Sequence, residues 1–342
     1  FAVRARVGVI SLSLLLIPLW VLTSSFVHLV AADGGFSIAP VFKVVFVALA
    51  FIIGSQGARV YGWQLGSFGT IGLVLLLSGI ASLFLGRLIG ITGTDSTYEE
   101  GLVGVSVHPA STAMLISTSI PYLIGLENKG RYLAVISYLC FLLTMRKAAI
   151  FGVFPFIRVA RRSDIFKSTT FLVLIIAFVS VPIVVTTFDM FEVYMERLMS
   201  SFSGDDYSGL RRLVFWSLVI DKVSYFDVFE LLFGEGAGAL SDPLFLRFGM
   251  VVGAHNDFLD LLFSHGVIPA LALFVFYISV AISLFKHNIH NQPVEYWCSW
   301  GILFYLFFNS FVSGGSLDVQ AAGLYFALGV CLEKCNNIGV NE

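Results

Sequence analysis

The residues best suited to chemistry stand at Ala254-His255-Asn256-Asp257, directly before the apolar run Phe258–Phe263. A histidine exchanges protons near neutral pH, so one at the mouth of a helix can act as a general base. Asn256 or Asp257 can cap the helix that follows, and a helix N-terminus favours anions. The plain alternative is an interfacial histidine without a chemical role. His265 lies further along the same predicted helix, too far away to form a compact metal cluster with His255.

A second group of residues suits an anion. Arg197, Arg211, Arg212, Lys222 and Arg247 all fall in the polar stretch 189–256, and Arg146 adjoins Lys147. Guanidinium forks bind phosphate oxygens in pairs and stay charged at any relevant pH. The alternative is a solvated segment, its arginines paired with Glu192, Glu196, Asp205 and Asp206. Gly234-Glu235-Gly236-Ala237-Gly238 brings backbone N–H groups close to a ligand or makes a tight turn. No strand precedes it, so it is not a nucleotide loop. The acid pairs Asp205-Asp206 and Glu99-Glu100 suit a base or a metal, or simple solvation. Cys331 and Cys335 share a helix face without a third ligand nearby. No metal and no cofactor is expected.

These groups must be positioned by apolar helices. Of the 342 residues, 58% are apolar and only 12% charged, and the mean hydropathy is +0.91. A water-soluble domain carries about twice that share of charge. The net charge of −2 gives no basic field for nucleic acid. Apolar runs fall at 7–30, 41–57, 66–90, 108–126, 131–145, 148–160, 168–188, 257–285, 296–314 and 320–334. A spanning helix needs about 20 residues, and backbone groups in lipid must bond internally. The expectation is therefore an all-α bundle with about ten spans, forming one integral membrane domain over 1–342. The stretch 131–160 is one helix or two. Two are favoured, because Arg146-Lys147 in mid-bilayer is costly. With Arg4 and Arg6 inside, that split also puts Arg158, Arg161, Arg162 and Lys167 inside. The stretch 189–256 then forms a large loop on the outer face, with amphipathic helices at Glu192–Phe202 and Leu210–Val223. The chain opens on Phe1 rather than Met, so one or two helices are expected ahead of it.

Taken in order, these elements resemble the O-antigen polymerase and O-antigen ligase superfamily. Gly101-Leu102-Val103-Gly104 followed by His108-Pro109 is similar to its glycine-rich segment, with Ala110 where asparagine is usual. Thr144-Met145-Arg146 resembles its Ser-Arg turn, with Met145 in the serine position. Gly209 to Trp216 resembles a Gly-Arg helix start with tryptophan four residues after the arginine, which aligns Arg212, with Arg211 as the rival. Gly234-Glu235-Gly236 resembles the family's Gly-x-Gly turn. His255-Asn256 followed by Gly266 resembles its His-Asn helix start, the most specific of these elements.

The resemblance implies a membrane glycosyltransferase of GT-C-like fold in the bacterial inner membrane, multi-pass, with its site facing the periplasm. Its donor would be an undecaprenyl-pyrophosphate-linked glycan, and it would need neither a metal nor a cofactor. His255 and Arg212 would be catalytic. Arg146, Arg197, Arg211, Asn256, Gly234 and Gly236 would bind substrate. Membrane lipids, a chain-length regulator or a lipid A–core acceptor would be the partners. A polymerase extends the chain on lipid-linked repeat units, whereas a ligase moves it to lipid A–core. Pro269, three residues after Gly266, departs from the ligase pattern and favours the polymerase. A polysaccharide transporter or flippase is the alternative of another class. The concentration of polar groups on one predicted face speaks against it.

Overall fold

A computed structural model describes residues 2–31, 38–88, 109–126, 130, 133–138, 140, 207–237, 239–240, 254–286, 293–312 and 314–338. Among these residues all regular structure is helical. Ten α-helices have both ends among the described residues: α1 Ala2–Ala31, α2 Ala39–Tyr61, α3 Gly69–Leu88, α4 Pro109–Ile124, α5 Tyr207–Val223, α6 Val228–Phe233, α7 Asp257–His265, α8 Val267–Phe285, α9 Val294–Val312 and α10 Ala322–Ile338. The stretch 133–138 is helical as well. The predicted runs 148–160 and 168–188, the predicted helix at Glu192–Phe202, and the choice between one and two helices over 131–160 lie outside the described residues.

Residue contacts divide the chain, read above as one domain, into two compact units. The first comprises 1–57, 210–290 and 306–342, and it carries the His255 segment. The second comprises 58–209 and 291–305. In the second unit α3 packs along α4, where Gly72 and Gly79 leave room for Tyr122 and Ile116. Ser119 and Ser137 share a buried hydrogen bond of 2.7 Å there.

In the first unit, α1 has two apolar faces. Ile10, Leu14, Ile17 and Val21 point inward at helical spacing and are buried. Leu12, Leu19 and Phe26 point outward and are 67%, 61% and 59% exposed. Helix α8 repeats this arrangement, with Leu273, Phe276, Val280 and Leu284 inside and Leu271, Phe274, Ile278 and Ile282 outside. A helix in water keeps one face polar, whereas a helix apolar all round suits lipid on its outer side. Residues Gly8–Ala31, Ala39–Tyr61 and Val267–Phe285 are each long and apolar enough to cross a membrane. Helices α2 and α10 meet through glycines. A Cβ on Gly54 would run into the Phe326 carbonyl, and one on Gly329 into the Phe51 carbonyl. Small residues that let backbones approach are the usual solution where lipid removes the hydrophobic drive between helices.

The stretch 257–285, expected as one span, is two helices. Helix α7 ends at His265, Gly266 takes a left-handed φ of 86°, and α8 starts at Val267. Pro269 in the first turn of α8 has no N–H to continue a hydrogen-bond ladder from α7. A Cβ on Gly266 would also strike the Leu232 carbonyl, so glycine is required twice over.

Candidate active site

The His255 turn is built from both of its neighbours. Ala254 and Asn256 are buried, and His255 between them is half-buried, with a φ of 55°. A left-handed non-glycine residue is uncommon, and such residues gather where the surrounding structure over-determines them. Asn256 caps α7. Its side-chain oxygen accepts from the N–H groups of Phe258 at 3.0 Å and Leu259 at 3.1 Å. Its amide nitrogen donates to the Phe311 carbonyl at 3.0 Å. Asn256 therefore spends most of its bonding capacity on orienting the turn.

Asp257 fastens the same turn to a distant loop. It is buried and accepts from Gly315 N–H at 2.6 Å, from Ser316 N–H at 2.9 Å and from the Ser316 hydroxyl. Burial pushes its carboxyl above the usual range, and these donors pull it back. The anchor continues inward. Ser316 bonds Ser310, and the Tyr277 hydroxyl meets Ser310 at 2.8 Å and Tyr325 at 3.2 Å. Gly314 passes close beside the turn, and a Cβ there would lie 3.3 Å from His255 Cα. One turn into α7, Asp260 reaches back so that its Oδ1 accepts from Ala254 N–H at 2.8 Å. Burial raises the Asp260 carboxyl to about 7, against the Ala254 amide, which lowers it. Helix α7 lies outside the three candidate spans.

Helix α5 closes on the turn from the other side. Phe215 and Val219 pack in one buried cluster with Leu240, Ala254 and Phe263. The Phe215 ring lies 6.4 Å from the His255 ring at a 23° angle, and Trp216 Nε1 donates to the Ala254 carbonyl at 3.0 Å. The apolar side predicted for this helix is only partly used. Leu213 and Ile220 are exposed, because the contact with Ala254 and Phe263 runs along the Phe215–Val219 edge. Arg212 sits one helical turn before Trp216 on α5, with Arg211 beside it. The side chains of Arg211 and Arg212 lie outside the described residues, as do Arg146 and Arg197 altogether.

The glycine turn after α6 serves helix packing. Asp227 caps α6 in a reciprocal pair with Glu230. Gly234 and Gly236 then take φ values of 73° and 99°. The Gly234 N–H donates to Glu230 O, the Glu235 N–H to Phe263 O at 2.9 Å and the Gly236 N–H to Ser264 O at 3.1 Å. All three amides are taken up by helix ends, which accounts for Gly234 and Gly236 without a ligand. Helix α1 joins the same region: Trp20 Nε1 donates to Leu232 O at 3.0 Å, and Ser24 bonds His265 Nδ1 at 2.8 Å. Burial and the nearby His28 lower the His265 pKa to about 4. Beside α7 is a cavity of about 270 Å³, lined by Asp257, Asp260, His265, Lys43 and Asp318 together with apolar residues.

Sequence reasoning missed Asp260 and the Gly314–Ser316 loop. Asp260 carried one visible signal, an acid three residues after Asp257 in the first turn of a helix. The loop also had one, its run of glycine and serine between two apolar stretches.

The fold thus defines an all-helical protein, over the described residues, with three helices long and apolar enough to cross a membrane. No family model matches the chain. No curated protein is significantly similar to it.

Proposed function

We propose that this protein polymerises undecaprenyl-pyrophosphate-linked oligosaccharide repeat units into a surface polysaccharide at the outer face of the bacterial inner membrane. The observation that carries this reading is the contact between α5 and the His255 turn. Trp216 bonds Ala254 O and Phe215 faces the His255 ring, so the helix bearing Arg211 and Arg212 is fastened to the proposed base. An anion-binding residue type and a proton-accepting one thus arise from adjoining elements of a single unit.

The chemistry follows from the residue types. His255 takes the proton of an acceptor hydroxyl as its oxygen attacks the anomeric carbon of the donor. The bond from that carbon to the pyrophosphate oxygen breaks, and the electron pair leaves with the carrier. Arg212, with Arg146, Arg197 and Arg211, stabilises the charge gathering on the pyrophosphate. Asn256 holds the turn that presents His255. With one histidine and no carboxylate nucleophile assigned, the displacement is single and inverts the anomeric centre. The GT-C-like bundle of about ten spans would hold the polyprenyl chain laterally. Pro269, three residues after Gly266, departs from the ligase pattern of the superfamily the sequence resembles, which supports the polymerase reading.

Complementation tests this reading. The gene is deleted in its host, surface glycan is resolved on a gel, and wild type, His255→Ala or Arg212→Ala is reintroduced. Collapse of the ladder to a single repeat unit on the core marks a polymerase. Loss of every glycan band above an intact core marks a ligase, and an unchanged glycan removes the proposal. A full ladder with His255→Ala, at wild-type protein level, removes His255 as the base.

A further inference from the structure

We propose that Asp260 is a positioning residue for His255, acting together with Trp216 through the single peptide that precedes the histidine. The inference rests on the reading of His255 as the reactive group and adds the device that presents it. Ala254 is completely buried, and both of its backbone polar groups are held by side chains. Its N–H donates to Asp260 Oδ1 at 2.8 Å, and its carbonyl accepts from Trp216 Nε1 at 3.0 Å. The two partners come from different elements, Asp260 from α7 and Trp216 from α5.

The next residue, His255, sits at φ 55° although it is not a glycine. A bulky side chain in that region costs energy unless its flanks hold it there. On the far flank the Asn256 cap and the Asp257 anchor supply the restraint. On the near flank it comes from the Asp260 and Trp216 bonds to Ala254. Asp260 also stands among the residues around the 270 Å³ cavity beside α7, so the same carboxyl joins that cavity wall to the backbone of the His255 turn. Its role at Ala254 requires an acceptor oxygen, not a negative charge. An asparagine supplies that oxygen and an alanine does not.

The test uses the full chain in detergent, with Asp260→Asn, Asp260→Ala and Trp216→Phe beside wild type. Acylation of each histidine by diethylpyrocarbonate is followed by mass spectrometry, with the other histidines as internal references for folding. The expected result is a change of about fivefold or more in the His255 rate for Asp260→Ala and Trp216→Phe, from the loss of one buried hydrogen bond. Asp260→Asn stays within about twofold of wild type, and the reference histidines hold their rates. Glycan-polymerising assays should follow the same order, with kcat falling and KM nearly constant for Asp260→Ala. Equal effects of Asp260→Asn and Asp260→Ala would assign the role to the charge and overturn the proposal. So would an unchanged His255 rate in Asp260→Ala. If a variant disturbs every histidine, the Trp216→Phe comparison decides, because it leaves Asp260 in place. Acylation needs no turnover, so a wild type that makes no polymer refutes the proposed function without deciding this point.

Discussion

Two turns of the first unit share left-handed backbone and differ in what restrains them. The Gly234–Gly236 turn and the Ala254–Asp257 turn both follow mostly apolar sequence and both carry positive φ angles. In the glycine turn the backbone satisfies itself against the ends of α6 and α7, and the central side chain, Glu235, plays no part in those bonds. In the histidine turn the flanking side chains take up the backbone groups, and the one residue left half-exposed is His255. What separates the two is the source of the restraint, backbone carbonyls in the glycine turn and neighbouring side chains in the histidine turn. Positive φ alone does not distinguish the two.

The widest separation between them is expected in activity. His255→Ala should reduce polymer formation by about 100-fold or more while leaving the unfolding midpoint nearly unchanged. Gly234→Ala should do the reverse, since its Cβ would meet the backbone of Ser264 and His265. Thermal unfolding in detergent, run beside the ladder gel, separates the two. The next effect concerns the anchor of the histidine turn. Asp257→Ala leaves the buried N–H and hydroxyl of Ser316, and the N–H of Gly315, without their acceptor, and should cost about 2–3 kcal/mol in denaturant unfolding. Gly266→Ala should cost about 1–3 kcal/mol by the same measurement, from its left-handed φ and the Leu232 carbonyl.

A smaller effect depends on pH. The Asp260 carboxyl is raised to about 7 in the folded protein, above the ordinary carboxylate range. A group raised in this way favours the folded state while protonated. That contribution is complete below the ordinary carboxylate pKa and is lost as pH rises through about 7. The unfolding midpoint of wild type should therefore fall between about pH 4 and about pH 7 and level off above, and Asp260→Asn should flatten that slope. The smallest effect belongs to Lys43→Ala. It breaks the 3.0 Å pair with Asp318, whose side chains are 51% and 36% exposed, and should change stability by less than about 1 kcal/mol.

The sequence made the apolar helices legible because their signal is local. The run 7–30 lies within α1 and 41–57 within α2, since lipid-length apolar runs need no tertiary information. Helix α5 was legible from Leu210 onward for the same reason, although which of its apolar residues are buried was not. That depended on Ala254 and Phe263, which come from elsewhere in the chain. The break at Gly266 was written in Gly266 and Pro269, but apolar content on both sides masked it. At the site, His255 and the Asn256 cap were readable from residue type and position. The partners of Asp257 lie beyond α8 and α9 at Gly315 and Ser316, and no local pattern announces them. The amide partners of the glycine turn were hidden in the same way at Phe263 and Ser264.

The Asp257 anchor has a mechanical consequence. One carboxylate binds the start of α7 to the segment between α9 and α10, and the Ser316–Ser310–Tyr277–Tyr325 chain carries that bond into α8 and α10. On its α7 side the His255 turn is therefore a fixed post. Under the proposed function, a bulky substrate would thus be carried to the histidine rather than the histidine swung to the substrate.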